Sequence, residues 1–161
     1  MIVMVEAYVL RTGGSARVIV ARLKPGSDLL RSLQQIVEEK GIKAAAVLSG
    51  VGLLSSVKLR NCKKLPDAYP ITDQNRSFHS FERPTEILAV SGDVSIIEGK
   101  PLVHAHLTLS YVEEDRIIVV GGHLIEGCKV FGFAEIILLE ISAIEMVKNY
   151  DEETKTHQLF A

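Results

Sequence analysis

The sequence predicts an α+β fold, with a largely antiparallel β-sheet and one main amphipathic helix in a compact single domain. Its 161 residues, 47% of them hydrophobic, suffice to bury one core without a disulfide or a structural metal. Most of the chain falls into short β-rich runs between glycine and polar turns, whereas one segment has clear helical spacing. Because strands outnumber helices and do not alternate with them, antiparallel pairing is favoured over a parallel sheet.

The N-terminal part is predicted to contain a hairpin followed by the helix. Residues 2–10 and 16–23 are β-rich, and the intervening Thr12-Gly13-Gly14-Ser15 is typical of a hairpin turn. Residues 27–40 then have helical spacing after a turn that ends on a good N-cap residue, and Gly41 is the expected helix end. The apolar positions on one face of this helix are Leu29, Leu30, Leu33, Ile36 and Val37.

The rest of the chain is predicted to form strands around one long loop. The polar, proline-bearing residues 61–81 predict a surface loop, and Gly92-Asp93 predicts a turn between two strands. We expect a domain over residues 1–148 and a polar C-terminal segment, 149–161, packed on it or trailing from it. The predicted strands are residues 44–49, 53–60, 85–91, 94–97, 102–111, 116–120 and 130–146.

Composition and charge exclude several classes of protein. With 18 Lys and Arg against 20 Asp and Glu, the net charge of −2 argues against binding nucleic acid through bulk positive charge. The apolar runs are too short for a membrane helix, and the N-terminal residues lack the pattern of a secretory signal. Two cysteines, Cys62 and Cys128, lie far apart with no CxxC pattern, which favours a reducing cytoplasm. The sequence therefore predicts a cytoplasmic protein with no membrane partner.

Three of the five histidines are predicted to lie close together. Apolar and polar residues alternate over residues 103–110, so His104 and His106 share one face of a strand. A turn centred on Glu113-Glu114 would pair residues whose numbers sum to 227, which places His123 opposite His104 and diagonal to His106. We therefore expect the three imidazoles to face one another.

Such a cluster suits Zn²⁺ or a similar divalent metal. Three imidazoles without a thiolate leave a coordination position for water or substrate, which is typical of catalytic zinc sites and makes hydrolytic or hydration chemistry available. Glu126, three residues after His123, is the nearest candidate to orient a ligand or accept a proton. The sequence thus predicts His104, His106 and His123 as metal ligands and Glu126 as a catalytic candidate.

Alternatives remain open at this point. A three-residue loop would turn His123 to the opposite face and destroy the cluster. The histidines could also be ordinary polar residues on a half-exposed strand or at a subunit contact. Cys128 is a weaker fourth candidate ligand, because strand alternation points it away from His123. His79 and His157 are interpreted as ordinary polar residues.

Several stretches together resemble a known family. Residues 99–107 (GKPLVHAHL) and 121–128 (GGHLIEGC) resemble the plants-and-prokaryotes-conserved domain family, written PPC or PCC. The resemblance extends over most of the chain, and the paired HxH and GGHL motifs are its most specific part. Further similar stretches are Leu10-Arg11 and residues 24–26, 41–45, 49–52, 86–88, 91–92, 135 and 150–154.

The resemblance implies a homotrimer of compact α+β domains. In stand-alone prokaryotic members it implies metal ligands at His104, His106 and His123, near a groove between subunits where a small molecule could bind. The family also carries a DNA-binding label, but the Arg-Gly-Arg-Pro element of its plant members is missing from this sequence. Two hypotheses follow: a zinc-binding protein or enzyme, and a DNA-binding regulator or assembly module.

Overall fold

The structure, a computed structural model, describes residues 3–5, 8–10 and 14–160. The described elements follow the predicted class, with many antiparallel strands and one α-helix. They are β1 (Val3–Val5), β2 (Tyr8–Leu10), β3 (Gly14–Leu23), α1 (Leu29–Glu39), β4 (Ala45–Cys62), a short 3₁₀ helix (Asp73–Asn75), β5 (Arg76–Ile97), β6 (Lys100–Glu113), β7 (Arg116–Leu124), β8 (Lys129–Ser142), β9 (Lys148–Asp151) and β10 (Thr156–Leu159).

The main sheet has six strands in the order β3-β8-β4-β5-β6-β7. Its long strand β4 pairs with β5 on one side, while its other side pairs first with β8 and then, near its end, with β7. Because β7 returns to β4, the strands β4, β5, β6 and β7 close into a ring. This closure brings the ends of β4 and β7 side by side.

The helix α1 packs its apolar face into the core. Leu29, Leu33 and Val37 are completely buried in one hydrophobic cluster with the inward-facing strand residues. Asp28 caps the N-terminus by accepting a hydrogen bond from the Arg31 amide, and its other oxygen accepts one from the Gly127 amide. The cap residue is thus Asp28 and not Ser27, the residue at which the predicted helix began. Asp28 also connects the helix to the segment between β7 and β8.

The helix ends where the sequence predicted. Gly41 follows the C-cap residue Lys40 and has a positive φ of 63°, a conformation that costs little energy only for glycine. Its amide donates to the Glu38 carbonyl, and the Ile42 amide donates to the Val37 carbonyl, so two carbonyls of the last turn have hydrogen-bond partners.

Several predicted boundaries were wrong because hydrogen-bonded pairing continues through residues that are typical of turns. The predicted strands 44–49 and 53–60 form the single strand β4, with register shifts on either side of its glycine-containing middle. Gly92-Asp93 is no turn, since β5 runs through it while paired with β6. The predicted loop 61–81 is shorter, because residues 76–81 pair with β4.

The predicted N-terminal hairpin was also wrong. Among the described residues, Tyr8–Leu10 pairs with Val3–Val5 instead, and Gly14–Leu23 pairs with β8. Residues 12 and 13 of the predicted turn lie outside the described part of the chain.

The C-terminal segment forms a small hairpin of β9 and β10. The two residues before this hairpin join it to β5, because the Ile96 amide donates a hydrogen bond to Met146 and Ile96 forms an isolated bridge with Val147. In the described ranges, no helix has both the length and the apolar character required to cross a membrane.

Candidate metal centre

The structure brings His104, His106 and His123 together on the outer face of β6 and β7. One nitrogen from each ring lies within 4.8 Å of those of the other two. The ring centroids are 4.9 Å apart for His104 and His123, and 5.1 Å for His106 and His123. His104 and His123 are half-buried and His106 is exposed, so the cluster can be reached from solvent.

The register of the β6–β7 hairpin differs from the predicted one by two residues. His123 lies opposite His106, with paired numbers summing to 229 instead of 227. The reason is a two-residue turn at Glu114 and Asp115, whose φ angles of 46° and 59° match the left-handed turn that suits a hairpin. A shift of two residues preserves the face on which each side chain lies, so His104 is now the diagonal neighbour.

Asp93 is a site residue that the sequence analysis missed. It lies on β5 directly opposite His104, and its Oδ2 is 3.4 Å from His104 Nδ1. Its other oxygen accepts a hydrogen bond of 2.9 Å from Lys148 Nζ. A carboxylate at Nδ1 fixes the ring orientation and directs Nε2 outward, as is usual for histidines that bind zinc.

The electrostatics of the cluster keep two of the rings neutral. Burial, with the nearby positive charge of Arg60, lowers the pKa of His123 from 6.5 to about 4. The pKa of His106 is also lowered, first by burial and then by His104 and Arg60. Burial would raise the pKa of Asp93, but hydrogen bonds from His104 and Lys148 outweigh it and lower that pKa to about 2. At neutral pH, the cluster therefore combines the neutral imidazoles of His106 and His123 with the ionised carboxylate of Asp93.

This arrangement fits a divalent metal. Nitrogen ligands at about 2.0–2.1 Å from a tetrahedral zinc lie roughly 3.3–3.4 Å from one another, which small rotations of the three rings would achieve. Neutral imidazoles are the form that binds metals, so no proton has to be removed from His123 first. The described residues offer no thiolate to this cluster, which leaves it with a three-nitrogen donor set.

A groove with a volume of about 530 Å³ runs beside the cluster. His104 and His123 line it, and so does Glu126. The Oε2 atom of Glu126 accepts hydrogen bonds from Arg31 Nε at 2.8 Å and Nη2 at 2.5 Å, so the predicted catalytic candidate is held by an ion pair to α1. The other lining residues are Leu30, Arg60, Ile97, Leu102, Val103, Leu124, Ile125, Lys148 and His157.

The remaining candidates lie elsewhere. Cys128 is buried against the backbone of Lys58, and burial raises the pKa of its thiol to about 11, so it is not an available thiolate. His79 contacts Ser77 on β5, and His157 packs against Tyr150 at the edge of the groove. Both fit the interpretation of ordinary polar residues.

Comparison with known sequences identifies the family. Residues 10–142 match the model of the Plants and Prokaryotes Conserved (PCC) domain. The chain belongs to this family. The match contains the three histidines and Asp93, whereas Lys148 and His157 lie beyond it.

Solved structures share the PCC fold over nearly the whole chain. The metal-containing protein AF0104 from Archaeoglobus fulgidus has a TM-score of 0.75 and 28% identity, covering 94% of this chain and 99% of that one. A PPC protein from Pyrococcus horikoshii has a TM-score of 0.73 and 27% identity, covering 96% of each chain. A candidate DNA-binding protein from Bacteroides thetaiotaomicron has a TM-score of 0.71 but 16% identity, covering 92% and 97%, so it shows the shared fold.

Curated relatives contain this PCC domain as part of a longer chain. Two proteins from Synechococcus strains, both named bifunctional protein GlmU, are 34% and 37% identical over 141 and 127 residues. These alignments cover 88% and 79% of this chain, but 20% and 18% of the relatives. The chain therefore spans about a fifth of the length of the curated relatives that it matches.

Proposed function

We propose that this PCC protein binds zinc or a similar divalent metal through His104, His106 and His123. The observation that carries the proposal is the convergence of three imidazole nitrogens within 4.8 Å, with a carboxylate at the back of one ring. The name of the Archaeoglobus relative, a metal-containing protein, supports the same assignment at 28% identity.

The chemistry proposed for the centre is metal-dependent hydrolysis or hydration. When bound, a metal with three protein ligands keeps a position for water and lowers the pKa of that water toward 7. In this proposal Asp93 orients His104, the groove accepts a small-molecule ligand, and Glu126 accepts a proton from its place in the groove wall. In this role Glu126 accepts the proton while its carboxylate is hydrogen-bonded to Arg31.

Metal analysis tests the proposal directly. Protein with its affinity tag removed is dialysed against zinc and then against metal-free buffer, and its metal content is measured by mass spectrometry. We expect about one equivalent per chain for the wild type and for His79→Ala, a control histidine outside the cluster, but a large loss for His106→Ala. Wild-type protein that retains no more metal than His106→Ala would contradict the proposal.

We further propose that the chain assembles as a cytoplasmic homotrimer, with the groove close to a subunit boundary. Apolar residues on the outer face of the sheet support self-association, since Val18, Val20 and Val51 are 61%, 71% and 47% exposed in the single chain. Val18 and Val20 pair with Leu139 and Ile137, which continue this surface onto β8. We call these five residues the outer apolar face.

A second candidate function is that of a DNA-binding regulator or assembly module. It is favoured by the name of the Bacteroides protein that shares the fold, while the net charge of −2 opposes it. An electrophoretic mobility assay with duplex DNA at physiological salt separates the two. Submicromolar binding that survives His106→Ala would favour the DNA function over the metal function.

A further inference from the structure

We propose that the ligand of this groove is an organic oxyanion, a carboxylate or a phosphate ester, anchored by Arg60 beside the metal position. This inference rests on the proposed metal function and names the class of ligand that the site would take. It starts from the placement of one cationic side chain.

Arg60 lies on β4 directly opposite His123, at the point where β4 and β7 close the ring of strands. It is half-buried and lines the groove together with His104 and His123. The side chain is therefore held as a partly desolvated cation next to the imidazoles.

The other cations around the groove already have carboxylate partners. Lys148 donates to Asp93, and Arg31 donates twice to Glu126. Arg76, which raises the local positive charge, is paired with Asp73 at 2.9 Å. Among the described residues, Arg60 alone of these cations has no ion pair. The charge of Asp73 also attracts Arg60, but the salt bridge of Asp73 is made with Arg76. A partly buried guanidinium without a salt bridge of its own favours an anionic ligand, because its planar donors match the oxygens of carboxylate and phosphate.

A bound metal would increase the excess of positive charge at Arg60. Imidazole ligands contribute no negative charge, and the one carboxylate in contact with them in the described part of the chain, Asp93, is shared with Lys148. A divalent ion next to Arg60 would leave several positive charges without a partner in a partly desolvated groove. An oxyanion that meets both the metal and Arg60 removes that imbalance, whereas a neutral or cationic ligand does not.

The shape of the groove indicates that the anion carries an organic body. Its volume of about 530 Å³ is in the usual range for small-molecule sites and exceeds what an inorganic ion needs. Leu30, Leu102 and Ile125 also line it, so an apolar portion of the ligand has a surface on which to pack.

Calorimetric titration of zinc-loaded protein tests the inference. The probes are inorganic phosphate, acetate and hexanoate, which separate phosphate from carboxylate and a bare carboxylate from one with an apolar chain. We expect hexanoate to bind more tightly than acetate. For each oxyanion that the wild type binds, we expect Arg60→Gln to lower the affinity by about tenfold or more. Arg60→Lys, which keeps the charge, should retain part of the affinity, and Arg116→Gln, an exposed arginine on β7, should bind like the wild type.

The zinc content of each variant separates the two proposals. Zinc repels Arg60, so Arg60→Gln should hold zinc at least as well as the wild type. If Arg60→Gln keeps its zinc and binds the oxyanions as tightly as the wild type does, the anion site is overturned and the metal centre stands. If the wild type holds no zinc, the proposed function fails, and Arg60-dependent binding of the same probes to metal-free protein would still support the anion site.

Discussion

At the scale of single residues, the centre depends on which groups are charged before any metal arrives. Asp93 stays ionised far below neutral pH because Lys148 and His104 bind it, and His123 stays neutral because of burial and Arg60. The sequence could indicate the three histidines, since their alternation and spacing are local. It could not indicate Asp93 and Arg60, because they reach the cluster from two other strands through long-range pairing.

The first residue-scale prediction concerns Asp93. Replacing it by asparagine keeps the shape of the side chain but removes the negative charge that orients His104. We expect zinc affinity to fall about 10- to 100-fold, the usual cost of losing such a partner. Competition with a chromogenic chelator measures this effect, with Asp67→Asn as a control in the exposed loop. Equal zinc affinity of Asp93→Asn and the wild type would show that the carboxylate does not orient the ring.

The second residue-scale prediction concerns His123 and the pH dependence of the free energy of unfolding of the metal-free protein. Its pKa in the folded state, about 4, is below the ordinary 6.5, so the unfolded chain takes up a proton first as the pH falls. The free energy of unfolding should therefore decrease between about pH 6.5 and pH 4. Urea titrations should show a smaller decrease for His123→Gln, while His79→Gln should follow the wild type. A decrease of the same size in His123→Gln would contradict this assignment. Asp93 contributes only at lower pH, between about 3.8 and 2.

At the scale of elements, the β6–β7 hairpin shows why a wrong register still brought the correct side chains together. The alternation of residues 103–110 fixes the face of each histidine, and a slip of two residues leaves that face unchanged. The position of the turn was harder to predict, because Glu114-Asp115 lacks the Asn-Gly signature of such turns. At Gly92 the sequence predicted a turn where none exists. A glycine is needed there because a Cβ would collide with the nearby carbonyl of His104.

The turn itself gives a prediction about stability. Glu114 and Asp115 both have left-handed backbone angles, which glycine adopts at the least cost in energy and which asparagine and aspartate adopt more readily than other residues do. The double substitution Glu114→Asn and Asp115→Gly should therefore raise the free energy of unfolding by about 1 kcal/mol. Chemical denaturation measures the change. Asp67→Gly, at a residue without a positive φ, is the control and should not stabilise. A double variant no more stable than the wild type would argue against this turn and the register that it sets.

At the scale of the whole molecule, closure of the strand ring is what assembles the candidate site. The end of β4 reaches β7 across more than sixty residues of chain, placing Arg60 opposite His123. Neither composition nor periodicity could predict that contact, because it depends on how far the sheet curls. The same curl leaves the outer apolar face on the side of β3, β8 and β4 that faces away from the buried core, with Val18, Val20 and Val51 exposed in the single chain.

The last prediction tests whether other copies of the chain cover that face. Val20 is 71% exposed on β3, so Val20→Glu should cost the folded monomer little, yet it would bury an unpaired charge in an assembly that uses this surface. Light scattering coupled to size exclusion should give about three times the chain mass of 17.7 kDa for the wild type and a single chain for Val20→Glu. Leu65→Glu, at a residue 75% exposed in the loop after β4, should behave like the wild type. If Val20→Glu stays trimeric, another surface forms the assembly. If the wild type is monomeric, the trimer itself is wrong.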